Sequence, residues 1–217
     1  MKKGIILLVL FGLWTWLIQV ADVQPAGQSG TEVGFATLNC WFHELTGVHM
    51  TIYNITDWLG LLPVFVCMIF ACLGLIQLIK RRGLFKVDLD IIFLGIYYII
   101  VIACYLIFEM YPINYRPIFI QGFQETSYPS STTLLVLCVM PTLVYQANRR
   151  IKHKKIQRVI KILTIVFSGG MVIGRTVAGV HWLTDIIGAM LLSTGLFCLY
   201  KAAVLLCCKE ENRPEGL

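Results

Sequence analysis

A histidine and an aspartate stand four residues apart in a segment that begins with an arginine. The three residues are Arg175, His181 and Asp185. Because residues i and i+4 share one face of a helix, the imidazole and the carboxylate are predicted to lie side by side. A hydrogen bond between them would fix the tautomer of His181 and leave its other ring nitrogen free for chemistry. A histidine–aspartate pair with a purely structural role is the alternative.

A second polar segment precedes an apolar run and reads Tyr128-Pro129-Ser130-Ser131-Thr132. A proline followed by hydroxyl residues and then an apolar run is typical of the N-terminus of a helix. The free backbone N–H groups of a helix N-terminus form an anion site. Ordinary capping of the helix is the alternative interpretation.

The elements that must position these residues are apolar. The chain has 217 residues, of which 58% are hydrophobic and 14% are charged, whereas soluble proteins carry roughly 25% charged residues. We therefore predict an all-α bundle of six transmembrane helices, one membrane-embedded domain over residues 1–217. The six predicted spans are 4–20, 58–79, 91–108, 130–147, 156–174 and 182–206. The first could instead be a signal peptide, but Trp14, Trp16 and the lack of a clear cleavage site favour a retained helix.

The basic residues indicate the topology of the bundle. With six alternating helices, 16 of the 18 Lys and Arg residues fall on one side of the membrane, which the positive-inside rule makes cytoplasmic, with both termini inside. The protein is thus predicted to be a multi-pass cell-membrane protein whose partner is the lipid bilayer, with no nucleic acid bound. The eight cysteines show no metal-ligand spacing.

Two arginines, Arg116 and Arg175, remain on the opposite side with His181 and Asp185. A guanidinium group donates two parallel hydrogen bonds to phosphate, so a phosphate site is predicted outside the cytoplasm. Snorkelling of both side chains to lipid headgroups is the alternative.

These segments resemble the three motifs of the type 2 phosphatidic acid phosphatase superfamily of integral-membrane lipid phosphatases. The first motif is Lys, six residues, Arg-Pro; the second is Pro-Ser-Gly-His; the third is Ser-Arg, five residues, His, three residues, Asp. Matching positions are Arg116-Pro117, Pro129-Ser130 and Arg175 with His181 and Asp185. The chain departs from the motifs at Glu109 in place of Lys, at Ser131-Thr132 in place of Gly-His, and at Gly174 in place of Ser.

The resemblance implies a role for each site residue. His181 would be the nucleophile that forms a phosphohistidine, and Asp185 would orient it. Arg116 and Arg175 would bind the phosphoryl oxygens, and Ser130, Ser131 and Thr132 with neighbouring amides would add donors. The implied activity is that of a metal-independent phosphoric-ester or diphosphate hydrolase without a cofactor, acting on a membrane lipid phosphate.

The departures at Glu109 and Thr132 bear on the substrate. The histidine missing at position 132 is the family's general acid for the leaving group. An alkoxide leaving group needs that proton, whereas a phosphate leaving group, with a second pKa of about 6, departs without it. A diphosphate such as a polyprenyl diphosphate is therefore predicted to tolerate Thr132 better than a phosphatidate. Glu109 is a candidate replacement acid and Glu125 is another, or Glu109 simply pairs with Arg116.

Two other functions remain open from the sequence. One is a transferase that passes the phosphoryl or head group to an acceptor other than water, since the fold does not distinguish the two activities. The other is a non-catalytic binder or transporter of lipid phosphates, which the residues at 109 and 132 favour. The presence of both His181 and Asp185 argues against a binder, because binding alone requires neither.

Overall fold

Long helices dominate the structure, a computed structural model that describes residues 1–210. Helix α1 spans Lys2–Val20, α4 spans Leu61–Arg81, α5 spans Leu89–Met110, α6 spans Ser131–Arg150, α7 spans Lys154–Val177 and α8 spans Leu183–Glu210. Within residues 1–210, five helical segments are long and apolar enough to cross a membrane: Lys2–Val20, Met50–Arg81, Leu89–Met110, Lys154–Val177 and Leu183–Cys207. The predicted all-α membrane fold is confirmed.

The predicted number of six spans is not confirmed. Residues 130–147 do form a helix, α6, but it is not among the five apolar segments. The reason is that α6 lies inside the bundle, packed against α4, α5, α7 and α8, and carries polar side chains inward. Thr142 and Gln146 are fully buried there, and they bond to Tyr98 at 2.7 Å and to Tyr200 at 2.9 Å. A helix inside a bundle can carry polar side chains because neighbouring helices supply their hydrogen-bond partners. Such a helix is less apolar than one that faces lipid.

Helix α1 lies closely along α8. A side chain at Gly4 would meet the Gly195 carbonyl oxygen at 3.0 Å, so the absence of a Cβ lets the two backbones approach. At the far end of α1, the Trp14 indole donates to the Thr184 carbonyl at 3.2 Å and Thr15 bonds to the Tyr128 hydroxyl at 2.7 Å. Helix α1 therefore supports the first turn of α8 and the loop before α6.

Residues 21–60 cover one end of the bundle, called here the site end. They form a hairpin of β1 (Gln24–Ala26) and β2 (Thr31–Val33), followed by the helices α2 (Ala36–Thr46) and α3 (Met50–Leu59). Buried Asn39 on α2 bonds to Thr184 at the start of α8 at 3.0 Å. The covering segment is thus attached to the helix that begins beside His181.

The other end of the bundle, called here the basic end, is held by ion pairs around two aspartates. Asp90 is buried and lies 2.9 Å from Arg150 and 3.2 Å from Arg149. Asp88 lies 2.7 Å from Arg81 and 3.2 Å from Arg150. These pairs join the ends of α4, α5 and α6 on the side remote from His181.

Candidate active site

His181 lies in the short turn between α7 and α8. Gly179 in this turn has a φ of +68°, a conformation that costs little only for glycine. A Cβ at Gly179 would also collide with the carbonyl oxygen of Gly47, in the connection between α2 and α3. The His49 N–H donates to the neighbouring Ala178 carbonyl at 3.0 Å. The turn that carries His181 is therefore packed directly beneath the covering segment.

Ser127, rather than Asp185, is the hydrogen-bond partner of the imidazole. His181 Nδ1 lies 3.1 Å from the Ser127 carbonyl oxygen, which can only accept. This bond assigns the proton to Nδ1 and leaves the lone pair on Nε2. His181 Nε2 is buried and has no partner in the described part of the chain.

Asp185 is fully buried and bound by three donors. Its Oδ2 accepts from the Ser127 hydroxyl and, at 2.8 Å, from the backbone N–H of Trp182. Its Oδ1 accepts from the side-chain amide of Asn114 at 3.1 Å. The carboxylate lies 3.9 Å from Nδ1 of His181, which exceeds hydrogen-bond distance. The predicted direct hydrogen bond is therefore wrong, although the two side chains are neighbours as their spacing indicates.

The loop between α5 and α6 folds back on itself and brings its polar residues together. Its tip is a two-residue turn at Gln121 and Gly122, with φ of 50° and 84°, as a type I′ hairpin turn requires. Ile120 and Phe123 exchange both backbone hydrogen bonds across it. Farther from the tip, the backbone N–H of Arg116 donates to the backbone carbonyl of Glu125 at 3.0 Å. This bond places Arg116 beside the residues that contact Asp185 and His181.

Arg116 is nearly buried and has three partners at the site end. Its guanidinium group lies 3.0 Å from the Glu125 carboxylate, and it donates weakly, at 3.4 Å, to the Thr126 carbonyl and to the Tyr53 hydroxyl. Glu125 is 42% exposed. An ion pair with so exposed a partner is weak, so an anion in the site can compete for Arg116.

Arg175 is buried in the last turn of α7. It donates to Thr56 on α3 at 3.4 Å, and it lies 3.7 Å from the Asp57 carboxylate, which is 59% exposed. Its Nε is buried and has no partner among the described residues. Both guanidinium groups lie near one ring, that of Tyr53, so Arg116 and Arg175 are on the same end of the bundle.

The environment keeps His181 neutral. Burial lowers the pKa of His181 well below its ordinary value of 6.5, and the positive charges of Arg116 and Arg175 lower it further, against a smaller opposing effect of the Ser127 carbonyl. The imidazole therefore has an unprotonated Nε2 at neutral pH. A neutral imidazole close to two guanidinium groups is suited to attack a bound anion.

A cavity of about 520 Å³ opens beside His181. Its lining includes Arg116, Glu109, Ser131 and His181. Glu109 accepts a hydrogen bond from Thr126 at 2.6 Å, while the carboxylate paired with Arg116 is that of Glu125. The alternative prediction that Glu109 pairs with Arg116 is therefore wrong, because Arg116 pairs with Glu125 of the same loop.

The three residues at the start of α6 do not share one place. Ser131 lines the cavity. The Ser130 hydroxyl donates to Thr133 at 3.0 Å and its N–H donates to the Asp185 carbonyl at 3.3 Å, so it supports the helix start. Thr132 lines a separate apolar groove of about 330 Å³ between α4, α5 and α6. The cavity and the groove share Tyr105, Ser131 and Leu134.

Several residues of the site lie outside the three motifs and are not predicted from the sequence. Ser127, Asn114, Tyr53 and Thr56 contact the aspartate, the histidine or the arginines, and they come from the loop before α6 and from α3. Their signal in the sequence is weak, because a serine or an asparagine in a loop is common, as is a tyrosine or a threonine on a helix. Among residues 1–210, no cluster of three or more His, Cys, Asp or Glu side chains is positioned to hold a metal ion.

The chain is similar to known membrane proteins in its sequence pattern and in its fold. The model of the PAP2 superfamily matches residues 111–206, the range that includes Arg116, Ser127, Arg175, His181 and Asp185. Among solved structures, a transmembrane PAP2-type phosphatidylglycerolphosphate phosphatase from Bacillus subtilis has a similar fold, with a TM-score of 0.68 and 17% identity over 100% of both chains. No curated protein matches. Residues 111–206 thus carry the sequence pattern of the PAP2 superfamily on the same fold as a membrane PAP2 protein, which confirms the resemblance that the motifs predict.

Proposed function

We propose that the protein is an integral-membrane phosphatase that hydrolyses a lipid phosphate or diphosphate through a phosphohistidine at His181. The observation that carries the proposal is the buried Nε2 of a neutral His181, which has no hydrogen-bond partner within residues 1–210 and lies beside two arginines. Buried polar atoms without a partner are rare and call for an explanation. A phosphoryl group bound between the arginines would give both His181 Nε2 and Arg175 Nε a partner. The superfamily match supports a phosphatase.

The chemistry divides into two displacements at phosphorus. In the first, the Nε2 lone pair attacks phosphorus, the bond from phosphorus to the leaving oxygen breaks, and that oxygen keeps the electron pair. In the second, water attacks the phosphohistidine, the P–N bond breaks, and inorganic phosphate leaves with His181 restored. Arg116 and Arg175 stabilise the charge on the equatorial oxygens in both steps, an effect typically worth about 10² to 10³ in rate per donor.

Ser127 and Asp185 hold the nucleophile in place. The Ser127 carbonyl fixes the ring through Nδ1, and Asp185 fixes Ser127 through its hydroxyl. When Nε2 becomes phosphorylated, the ring carries positive charge, and the carboxylate 3.9 Å away stabilises that charge.

The leaving group decides which lipid is the better substrate. Thr132 lines the apolar groove instead of the cavity and cannot donate a proton near neutral pH. We propose that a diphosphate, whose leaving group departs unprotonated, is cleaved faster than a phosphatidate. For substrates that need a proton, Glu109 is the candidate acid, since it lines the cavity.

The apolar groove supports a lipid substrate. It lies between α4, α5 and α6 and meets the cavity at Tyr105, Ser131 and Leu134. A hydrocarbon chain in the groove would place its phosphate in the cavity beside His181. We further propose that the site end faces away from the cytoplasm and that both termini are cytoplasmic, because the Lys and Arg residues concentrate at the basic end.

Phosphate release by the detergent-purified protein tests the proposal. The substrates are a polyprenyl diphosphate and a phosphatidate, each with wild type and His181→Ala. We expect release by wild type, faster from the diphosphate, and a loss of at least 10³-fold in His181→Ala. Consumption of the lipid phosphate only with a second lipid or alcohol acceptor, without release of inorganic phosphate, would indicate a transferase, and binding without turnover would indicate a non-catalytic binder. Faster cleavage of phosphatidate would overturn the diphosphate preference.

A further inference from the structure

Tyr53 on α3 contacts both arginines of the site. Its ring centroid lies 4.8 Å from the guanidinium carbon of Arg175 and 5.7 Å from that of Arg116. Its hydroxyl accepts from Arg116 at 3.4 Å. We infer that Tyr53 is a positioning residue that holds both guanidinium groups where a phosphoryl group binds. This inference rests on the proposed function and extends it to a residue outside the three motifs.

Two arginines at one site need such a device because their charges repel each other. The side chains of Arg116 and Arg175 are only 8% and 1% exposed, so water screens this repulsion poorly. The face of an aromatic ring attracts a cation through its quadrupole. One ring shared by two guanidinium groups therefore offsets part of the repulsion and lowers the cost of holding them together.

The ring differs from the carboxylates that also contact the arginines. Glu125 and Asp57 are partly exposed anions that compete directly with a phosphate. Tyr53 is neutral, so it can keep its contact with the arginines while a phosphate binds to their N–H groups.

The position of the ring is itself fixed by packing. Tyr53 packs against a small apolar cluster formed by Ile120, Ala178 and Val180. This cluster joins α3 to the loop that carries Arg116 and to the turn that carries His181. The next turn of α3 provides Thr56, which bonds to Arg175 at 3.4 Å. Helix α3 therefore contacts both arginines and also packs against the turn that carries His181.

Variants that keep or remove the aromatic ring test the inference. Tyr53→Phe and Tyr53→Trp keep a ring, and Tyr53→Leu removes it. Trp58→Leu on the same helix, whose side chain is 75% exposed, is the control. The measurements are the dissociation constant of orthovanadate and the KM for a lipid phosphate, on detergent-purified proteins with matched melting temperatures. We expect both constants to rise at least tenfold in Tyr53→Leu. They should stay within about threefold in Tyr53→Phe, because the hydrogen bond lost there is long. They should also stay within about threefold in Trp58→Leu, because that side chain is exposed.

The outcomes separate this inference from the proposed function. Wild-type vanadate affinity in Tyr53→Leu, or an equal loss in Tyr53→Phe, would overturn the role of the ring while phosphate release stayed intact. A wild type that binds vanadate but hydrolyses no lipid phosphate would contradict the proposed function, and the vanadate series would still decide the role of Tyr53. Should Tyr53→Leu fail to fold, Tyr53→Met is the second variant, since it fills similar space without a π face.

Discussion

The carboxylate of Asp185 lies 3.9 Å from Nδ1 of His181, and Ser127 stands between them in the hydrogen-bond network. The serine accepts from the imidazole through its carbonyl and donates to the aspartate through its hydroxyl. The order of contacts is thus histidine, serine, aspartate. Each of the three makes a separate contribution that substitution can isolate.

Removing the Ser127 hydroxyl should slow the reaction without abolishing it. In Ser127→Ala the backbone carbonyl still holds Nδ1, but the buried Asp185 loses one charge-assisted donor, typically worth about 1.5–3 kcal/mol. We expect kcat to fall about tenfold to a hundredfold with little change in KM. In Asp185→Asn the loss should be larger, because the charge that stabilises the phosphorylated ring is gone. Steady-state kinetics on both variants checks that the loss in Asp185→Asn is the larger one. An unchanged kcat in Ser127→Ala would contradict the role of the serine hydroxyl.

Glu125 competes with substrate for Arg116, so its neutralisation should tighten binding. In Glu125→Gln the guanidinium group of Arg116 loses the carboxylate 3.0 Å away and is freed for a phosphoryl oxygen. We expect KM to fall about twofold to fivefold at low salt, with a smaller effect at high salt because the pair is exposed to solvent on the glutamate side. The matched control is Glu32→Gln in the covering hairpin, which should leave KM unchanged. A rise in KM for Glu125→Gln would show that the pair positions Arg116 instead.

The sequence predicts the residues that act on phosphate better than the residues that hold them. Arg175, His181 and Asp185 are close along the chain, around the short turn between α7 and α8, so their proximity follows from their sequence spacing. Arg116 comes from a distant loop, and the sequence brings it to the same site only through its position on the non-cytoplasmic side and through the resemblance to the superfamily. The contacts of Ser127 and Tyr53 depend on how a hairpin loop and α3 fold over the helix ends, and no local periodicity encodes that. The six-span count fails to be confirmed at α6 for a related reason: a central helix can be polar, because its neighbours supply the partners.

The acidic limit of activity should reflect His181. Its pKa lies well below 6.5 through burial and the charges of Arg116 and Arg175, and only the neutral ring attacks phosphorus. Activity is therefore present above that lowered pKa and is lost as the pH falls through it, so the acid limb of kcat/KM should lie below pH 6.5. In Arg116→Gln one positive charge is removed, the pKa of His181 rises, and the limb should move to higher pH. The ionisation of the substrate is the same for both proteins, so a limb that does not move would assign it to the substrate.

Restoring a histidine at position 132 should change the substrate preference. Thr132 lies in the first turn of α6, beside Ser131, which lines both the groove and the cavity. In Thr132→His the imidazole can supply a proton to an alkoxide leaving group, and general acids typically contribute about 10² to 10⁴ in rate. We expect phosphatidate cleavage to rise at least tenfold, while cleavage of a polyprenyl diphosphate stays within about twofold because its leaving group needs no proton. Thr132→Asn, polar but unable to act as an acid, is the control, and an equal gain in that variant would mean that the change acts through packing in the groove.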